Sequence, residues 1–234
     1  MIVMRLKPLI TIATLAAAIC FAQPPVQFKV VKSSPFSAHA VTQSTQVLAD
    51  GNRITHQTTA LIARDSDGRT RREQSLAPGR VYAVFIQDPV AGVVYVLDPQ
   101  SHSARKIVMA MPETDSPPAE IKSFASTDGN GRKDANNIGS EALGIQIIEG
   151  FVVQGVRSTV IVPSGRTGNE RPLHVVSEAW YSDELQTVLL TRTQDPRFGE
   201  TTYKLTEIQR GEQPKSQFEV PQAYRVVDTE GRKR

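Results

Sequence analysis

The 234-residue chain sets 27 Lys and Arg against 24 Asp and Glu, a formal net charge of +3, and holds 15 Gly, 15 Pro and one Cys. That length fits one all-β domain, and so small a charge of mixed sign gives no reason to expect nucleic acid as a partner. A single Cys rules out a disulfide framework within the chain and a zinc site built on cysteines.

Residues 1–22 open with Arg5 and Lys7, run uncharged and apolar from Leu9 to Ala22, and give way to Gln23-Pro24-Pro25. This is the layout of a secretory signal peptide. The apolar run falls short of the roughly 20 residues that a transmembrane helix needs. Cleavage near Ala22 removes Cys20, so the exported chain, periplasmic or secreted, is expected to lack cysteine and any transmembrane segment. A Cys-free chain suits an oxidising compartment. Loss of Arg5 and Lys7 leaves a net charge of about +1.

From Val26 to Val31 a short alternating patch between prolines reads as an edge strand. Residues 38–48 then alternate with period two and end at Asp50-Gly51-Asn52, a strong hairpin signal because Gly tolerates positive φ. The return strand runs from Arg53 to Arg64, turns at Asp67-Gly68, and is followed by a strand from Arg69 to Leu76. The next hairpin, Val81 to Ile86 and Val93 to Leu97, is the most apolar part of the exported chain and is expected to be central and covered on both faces. Ala104 to Ala110 follows.

Composition changes at residues 112–137, which are rich in Pro, Gly, Ser, Asp and Asn and poor in the apolar residues that offset ordering entropy. We expect a flexible insertion there. Strands resume at Leu143 to Ile148, Phe151 to Gln154 and Val156 to Val162, then at Leu173 to Tyr181, Thr187 to Gln194 and Thr201 to Gln209. No window keeps a helical period over three turns. The fold class is therefore mainly β: a β-meander forming one strongly curved antiparallel sheet, a half-barrel, with minor helix. Residues 23–227 form the single β-rich domain, and 228–234 a basic disordered tail.

The stretch VVYVLDPQSHSARKI (Val93 to Ile107), the run AWYSDELQTVLLTRTQD and the ending EIQRGEQPKSQFEVPQAYRV resemble the outer-membrane lipoprotein carriers and the periplasmic sensor that restrains an anti-sigma factor, the LolA/LolB/RseB-like superfamily. More closely, the chain resembles secreted acidobacterial-type β proteins of uncharacterised function, which share the turns found here at Asp50 to Ile54, Asp65 to Glu73 and Asp195 to Glu200. The carrier resemblance implies a half-barrel whose concave face holds a lipid or a lipoprotein acyl chain. The chain departs from the carriers in lacking a clear amphipathic N-terminal helix and in its insertion at 112–137.

Chemistry is sparse. No Gly-x-Ser-x-Gly stands in the chain, and His39, His56, His102 and His174 are scattered singly. Neither a His-Glu-x-x-His run nor an EF-hand spacing is present, so no metal and no cofactor is expected. Phe85, Tyr95 and Trp180 are the candidates to line an apolar ligand, and Arg69 and Arg71 to contact an anionic group. The preferred reading is a non-enzymatic binding protein for a lipid or lipoprotein. The rival is an interaction or assembly module that docks an envelope protein partner. Phe218, Val220-Pro221 and Tyr224 read as a clasp packing the C-terminus onto the sheet.

Overall fold

The structure is a computed structural model that describes residues 30–77, 79–109 and 138–228. The expected leader, the insertion at 112–137 and residues 229–234 of the basic tail lie outside the described residues. So do the first four residues of the patch at Val26 to Val31, and Val30 and Val31 themselves are not in a strand.

Twelve strands follow in order: β1 (Phe36–Val47), β2 (Arg53–Arg64), β3 (Thr70–Ala77), β4 (Arg80–Asp88), β5 (Val93–Asp98), β6 (Ser103–Val108), β7 (Ile138–Ile148), β8 (Phe151–Val162), β9 (Leu173–Ser182), β10 (Thr187–Asp195), β11 (Gly199–Arg210) and β12 (Arg225–Asp228). One sheet holds them all, in the order β12-β6-β5-β4-β3-β2-β1-β11-β10-β9-β8-β7. It is two meanders, β1–β6 and β7–β11, joined where β1 pairs β11. Every pairing is antiparallel except β12 beside β6.

Turn chemistry sets the corners. Asp65 is buried; it accepts the backbone N–H of Arg69 at 2.8 Å and the Arg69 guanidinium at 2.9 Å, and so closes the turn between β2 and β3. Asp195 does the same for β10 and β11, accepting the Arg197 N–H at 2.9 Å and its guanidinium at 2.9 and 2.7 Å. Gly199 ends that turn at φ +88°, where a Cβ would collide with the Thr45 carbonyl; only glycine fits.

The sheet is open and strongly curved. Neighbouring strands lie about 4.8 Å apart, so β8 and β11, three steps apart, would stand about 14 Å apart in a flat sheet. Instead the Arg210 guanidinium sits 3.8 Å from the centre of the Phe151 ring, and the Lys204 ammonium bonds the Glu149 carboxylate at 2.9 Å. Bulges between Val188 and Leu190 and between Ala142 and Gly144 help the bend, because an extra residue in one strand increases local twist.

Curvature separates two cores. The larger gathers Phe36, Ala38, Ala40, Ala60, Ile148, Phe151, Val153, Leu185, Leu189 and Leu205. The smaller gathers Ala63, Val84, Ile86, Leu97 and Ala104 beneath Phe218, with Tyr95, Val220 and Tyr224 against it. On β2, Ala60 and Ile62 join the first and Ala63 the second. With period-two side chains these cores stand on opposite faces of one sheet.

After β11 the chain crosses the second face, makes a short 3-10 turn at Lys215–Phe218 that buries Phe218, and adds β12 beside β6. This is the expected clasp, and it also supplies a strand: the Arg225 N–H reaches the His102 carbonyl at 2.9 Å, and the rings of His102 and Tyr224 lie 5.5 Å apart.

A third tie is Arg64, which is buried. Its guanidinium donates to the Ser34 carbonyl at 2.9 and 2.7 Å and to the Leu185 carbonyl, and lies over the Phe36 ring at 4.7 Å. Burial pushes its pKa down to about 10, so it stays charged at neutral pH. Its hydrogen bonds join β2, the segment before β1 and the β9–β10 turn.

Candidate functional site

The face that carries the larger core is the concave one. On it Arg72 of β3 reaches across two strands to the Tyr203 phenol of β11: burial raises the Tyr203 pKa and the Arg72 cation, hydrogen-bonded to it, draws it partly back. Beyond Arg72 this face continues over β4, β5 and β6. Register gives one row directly: Arg72 opposite Phe85, Phe85 opposite Val96, Val96 opposite Arg105, and Arg105 opposite Val227. The next row is Gln87, Val94, Ile107.

Phe85, Val94, Val96 and Ile107 thus form an apolar strip with a guanidinium at each end. None of the four belongs to either core. Phe85 is 40% exposed and Ile107 likewise 40%. The expectation that the β4–β5 hairpin is covered on both faces is therefore corrected. Val84, Ile86 and Leu97 are buried under the clasp, while the Phe85 side has no described element packed over it as a core. The cause is topological: the crossing segment can cover only one face.

The structure places the sequence candidates as follows. Phe85 stands in the strip. Tyr95 pairs with Ile86 rather than Phe85 and packs under the clasp on the opposite face. Trp180 packs against the larger core, its ring lying over Gly155 on β8, where a Cβ would run into the indole. The three rings do not converge.

Arg69 and Arg71 are engaged internally. Arg69 meets Asp65, Asp67 and Asp88 at 2.9, 3.0 and 3.5 Å. Hydrogen bonding to Asp65 raises its pKa further. Arg71 bonds Glu73 at 2.7 Å and donates to the Gln217 carbonyl of the clasp at 2.9 Å. Sequence reasoning missed Arg72, Arg105, Val94, Val96 and Ile107 as one surface. The alternation in β5 was legible, but which of its faces stays open depends on where the C-terminus crosses.

On the clasp side an open groove of about 600 Å³ lies between β1–β3 and the crossing segment. It is mostly polar, with His39 3.7 Å from Glu207 at its rim. Among the described residues no group of three or more His, Cys, Asp and Glu could hold a metal ion, and no helix is long and apolar enough to cross a membrane.

Fold and surface together define a class: an open, curved twelve-stranded sheet with one face clasped and the other carrying an uncovered apolar strip. No family model matches the chain and no curated protein sequence matches it. Among solved structures, an uncharacterised conserved protein from Thermus thermophilus is similar at 12% identity and TM-score 0.45, over 84% of this chain and 91% of that one. A chain of the Pseudomonas aeruginosa MucA/MucB complex is similar at 14% identity and TM-score 0.49, over 84% of this chain and 59% of that one, so this chain spans under two thirds of its length. A LolA superfamily protein from Nitrosomonas europaea is similar at 8% identity and TM-score 0.34, over 80% and 90%. The MucA/MucB and LolA names belong to the group that the sequence resembles. At such identities and TM-scores the likeness assigns the chain to no family.

Proposed function

We propose that the protein is an exported, non-enzymatic binding protein that holds the acyl chain of an anionic lipid or lipoprotein against the concave strip of β4–β6. The observation that carries this reading is the row Arg72, Phe85, Val96, Arg105. Two apolar side chains stand between two cations on a face left uncovered by the described residues. An acyl chain gains from leaving water against Phe85, Val94, Val96 and Ile107, and a carboxylate or phosphate headgroup pairs with a guanidinium. Of the residues chosen from sequence, Phe85 belongs to this site. Tyr95 packs on the opposite face, under the clasp, and Trp180 packs against the larger core from β9.

The test is direct. Lipid is extracted from the exported chain with organic solvent and identified by mass spectrometry, and palmitate or a triacylated lipopeptide is titrated into a Trp180→Phe, Phe85→Trp reporter. Emission should shift to the blue, and Val96→Glu in that reporter should weaken binding about tenfold or more, equivalent to about 1.4 kcal/mol. No co-purifying lipid together with an unmoved reporter would sink the reading.

A further inference from the structure

The sheet has a second uncovered apolar surface, at its other end and on its other face. Along the β7–β8 hairpin Ile147 stands opposite Val152 and Ile145 opposite Gln154. These alternate with Phe151 and Val153, which point into the concave core, so Ile145, Ile147 and Val152 project from the convex side. They are 72%, 73% and 59% exposed. β7 is also the last strand of the sheet, and among the described residues its outer backbone edge has no partner strand.

Sheet edges are normally guarded by shortness, charge, proline or a bulge. β7 has a bulge at its middle, beside Gly144. Past that bulge, Gly144–Ile148 contains no charged residue and no proline. Glu141, the one charged residue of β7, lies before the bulge and is bound to Arg157 at 3.1 Å. The regular, apolar part of the edge is thus the part left unguarded.

We infer that this edge pairs with β7 of a second copy of the chain. Antiparallel pairing of a strand with itself about a two-fold axis is self-complementary. Centred on Gln146 it sets Ile145 opposite the copy's Ile147 and Gln146 opposite its equivalent. The convex face then carries Ile145, Ile147 and Val152 from each copy as one continuous patch. The strip bears no charge that would select a partner of opposite sign. Three exposed apolar side chains per copy, with a short strand edge, make a contact below the standard size of a stable protein interface. The dimer is accordingly weak and concentration-dependent, and independent of the lipid site.

The experiment uses the full exported chain. Sedimentation across a wide concentration series should show a monomer becoming a dimer, and amide hydrogen exchange at Gly144–Ile148 should slow as concentration rises. Ile147→Lys should abolish both effects and Ile147→Thr should weaken them, each with unchanged Trp180 emission to show that the fold persists. A monomer at every concentration with fast exchange overturns the inference. So does exchange that is slow at every concentration, which assigns the edge to another segment of the same chain.

Discussion

The two ends of this sheet are finished differently. At the β6 end the chain returns on itself: Phe218, Val220 and Tyr224 cover one face, and β12 takes the outer edge. β12 is only four residues long, with Arg225 and Asp228 at its ends and Asp228 3.8 Å from Lys106. At the β7 end eleven residues of strand finish the sheet, with large apolar side chains turned outward and no described segment over them. One sequence thus protects one edge and leaves the other available. The clasp covers one face at the β6 end, and the surfaces left open among the described residues are the opposite face of β4–β6 and the convex face of β7–β8.

The sharpest way to break that comparison is Phe218→Ala. Truncating a fully buried phenylalanine costs about 3–5 kcal/mol, here by emptying the centre of the smaller core. The expected outcome is a loss of unfolding free energy of that size, read from urea denaturation, with faster amide exchange in β12, β6 and β5 while β8–β11 keep their protection. Uniform loss across all twelve strands would show that the clasped end is not a separate unit.

Gly155→Ala probes the other end with a smaller effect. Its Cβ meets the six-membered ring of Trp180, and overpacking of this kind costs about 1–3 kcal/mol. The indole must shift, so Trp180 emission should change in the native state as the midpoint falls, and protection at the clasp should not. An unchanged emission spectrum with unchanged stability would mean that the ring does not rest on the glycine.

Much of this architecture is legible in the sequence. The expected strand Arg53–Arg64 matches β2 residue for residue, and most other strands match to within a few positions, because Thr- and Val-rich alternation and Asp-Gly or Asp-Pro turns are local signals; β7 is the exception, beginning at Ile138, five residues before the expected Leu143. The clasp is legible from Phe218, Val220 and Tyr224 as apolar residues beyond the last long strand. Other features depend on distant partners. Gly155 reads as a break between two strands, yet β8 runs through it unbroken because the Trp180 ring fills the space that its missing side chain leaves. Arg225–Asp228 is too short to announce itself and pairs with β6 more than a hundred residues earlier. The candidate site is legible only in Phe85. Assigning Tyr95 to the same surface fails on parity, since Ile86 rather than Phe85 faces it. Arg69 stands in a densely basic run because it serves a turn built on Asp65. Arg72, one residue out of phase with Arg71, becomes interesting only when register sets it beside Phe85.

The smallest effect concerns the latch that holds the β7–β8 turn to β11. A bulge frees the Glu207 N–H from the ladder with β1, and Glu149 accepts it at 3.2 Å while its other oxygen takes the Lys204 ammonium at 2.9 Å. The Lys204 hydrogen bond, opposed by some burial and helped by the Glu207 N–H, holds the Glu149 carboxyl below the usual glutamate range. Glu149→Gln keeps an oxygen for the N–H and removes only the charge. Both partners of the ion pair are partly solvated, so the loss at neutral pH should stay below about 1 kcal/mol. Because the folded-state pKa is depressed, this stabilisation is present above the unfolded glutamate value, about 4.3. It disappears as pH falls through the lower folded value. Urea midpoints of wild type and variant should therefore differ slightly at neutral pH and converge in acid. A gap that persists well below the usual glutamate value would mean that the variant has lost packing at the turn rather than the ion pair, and the β7 end would then be held to β11 by contact instead of charge.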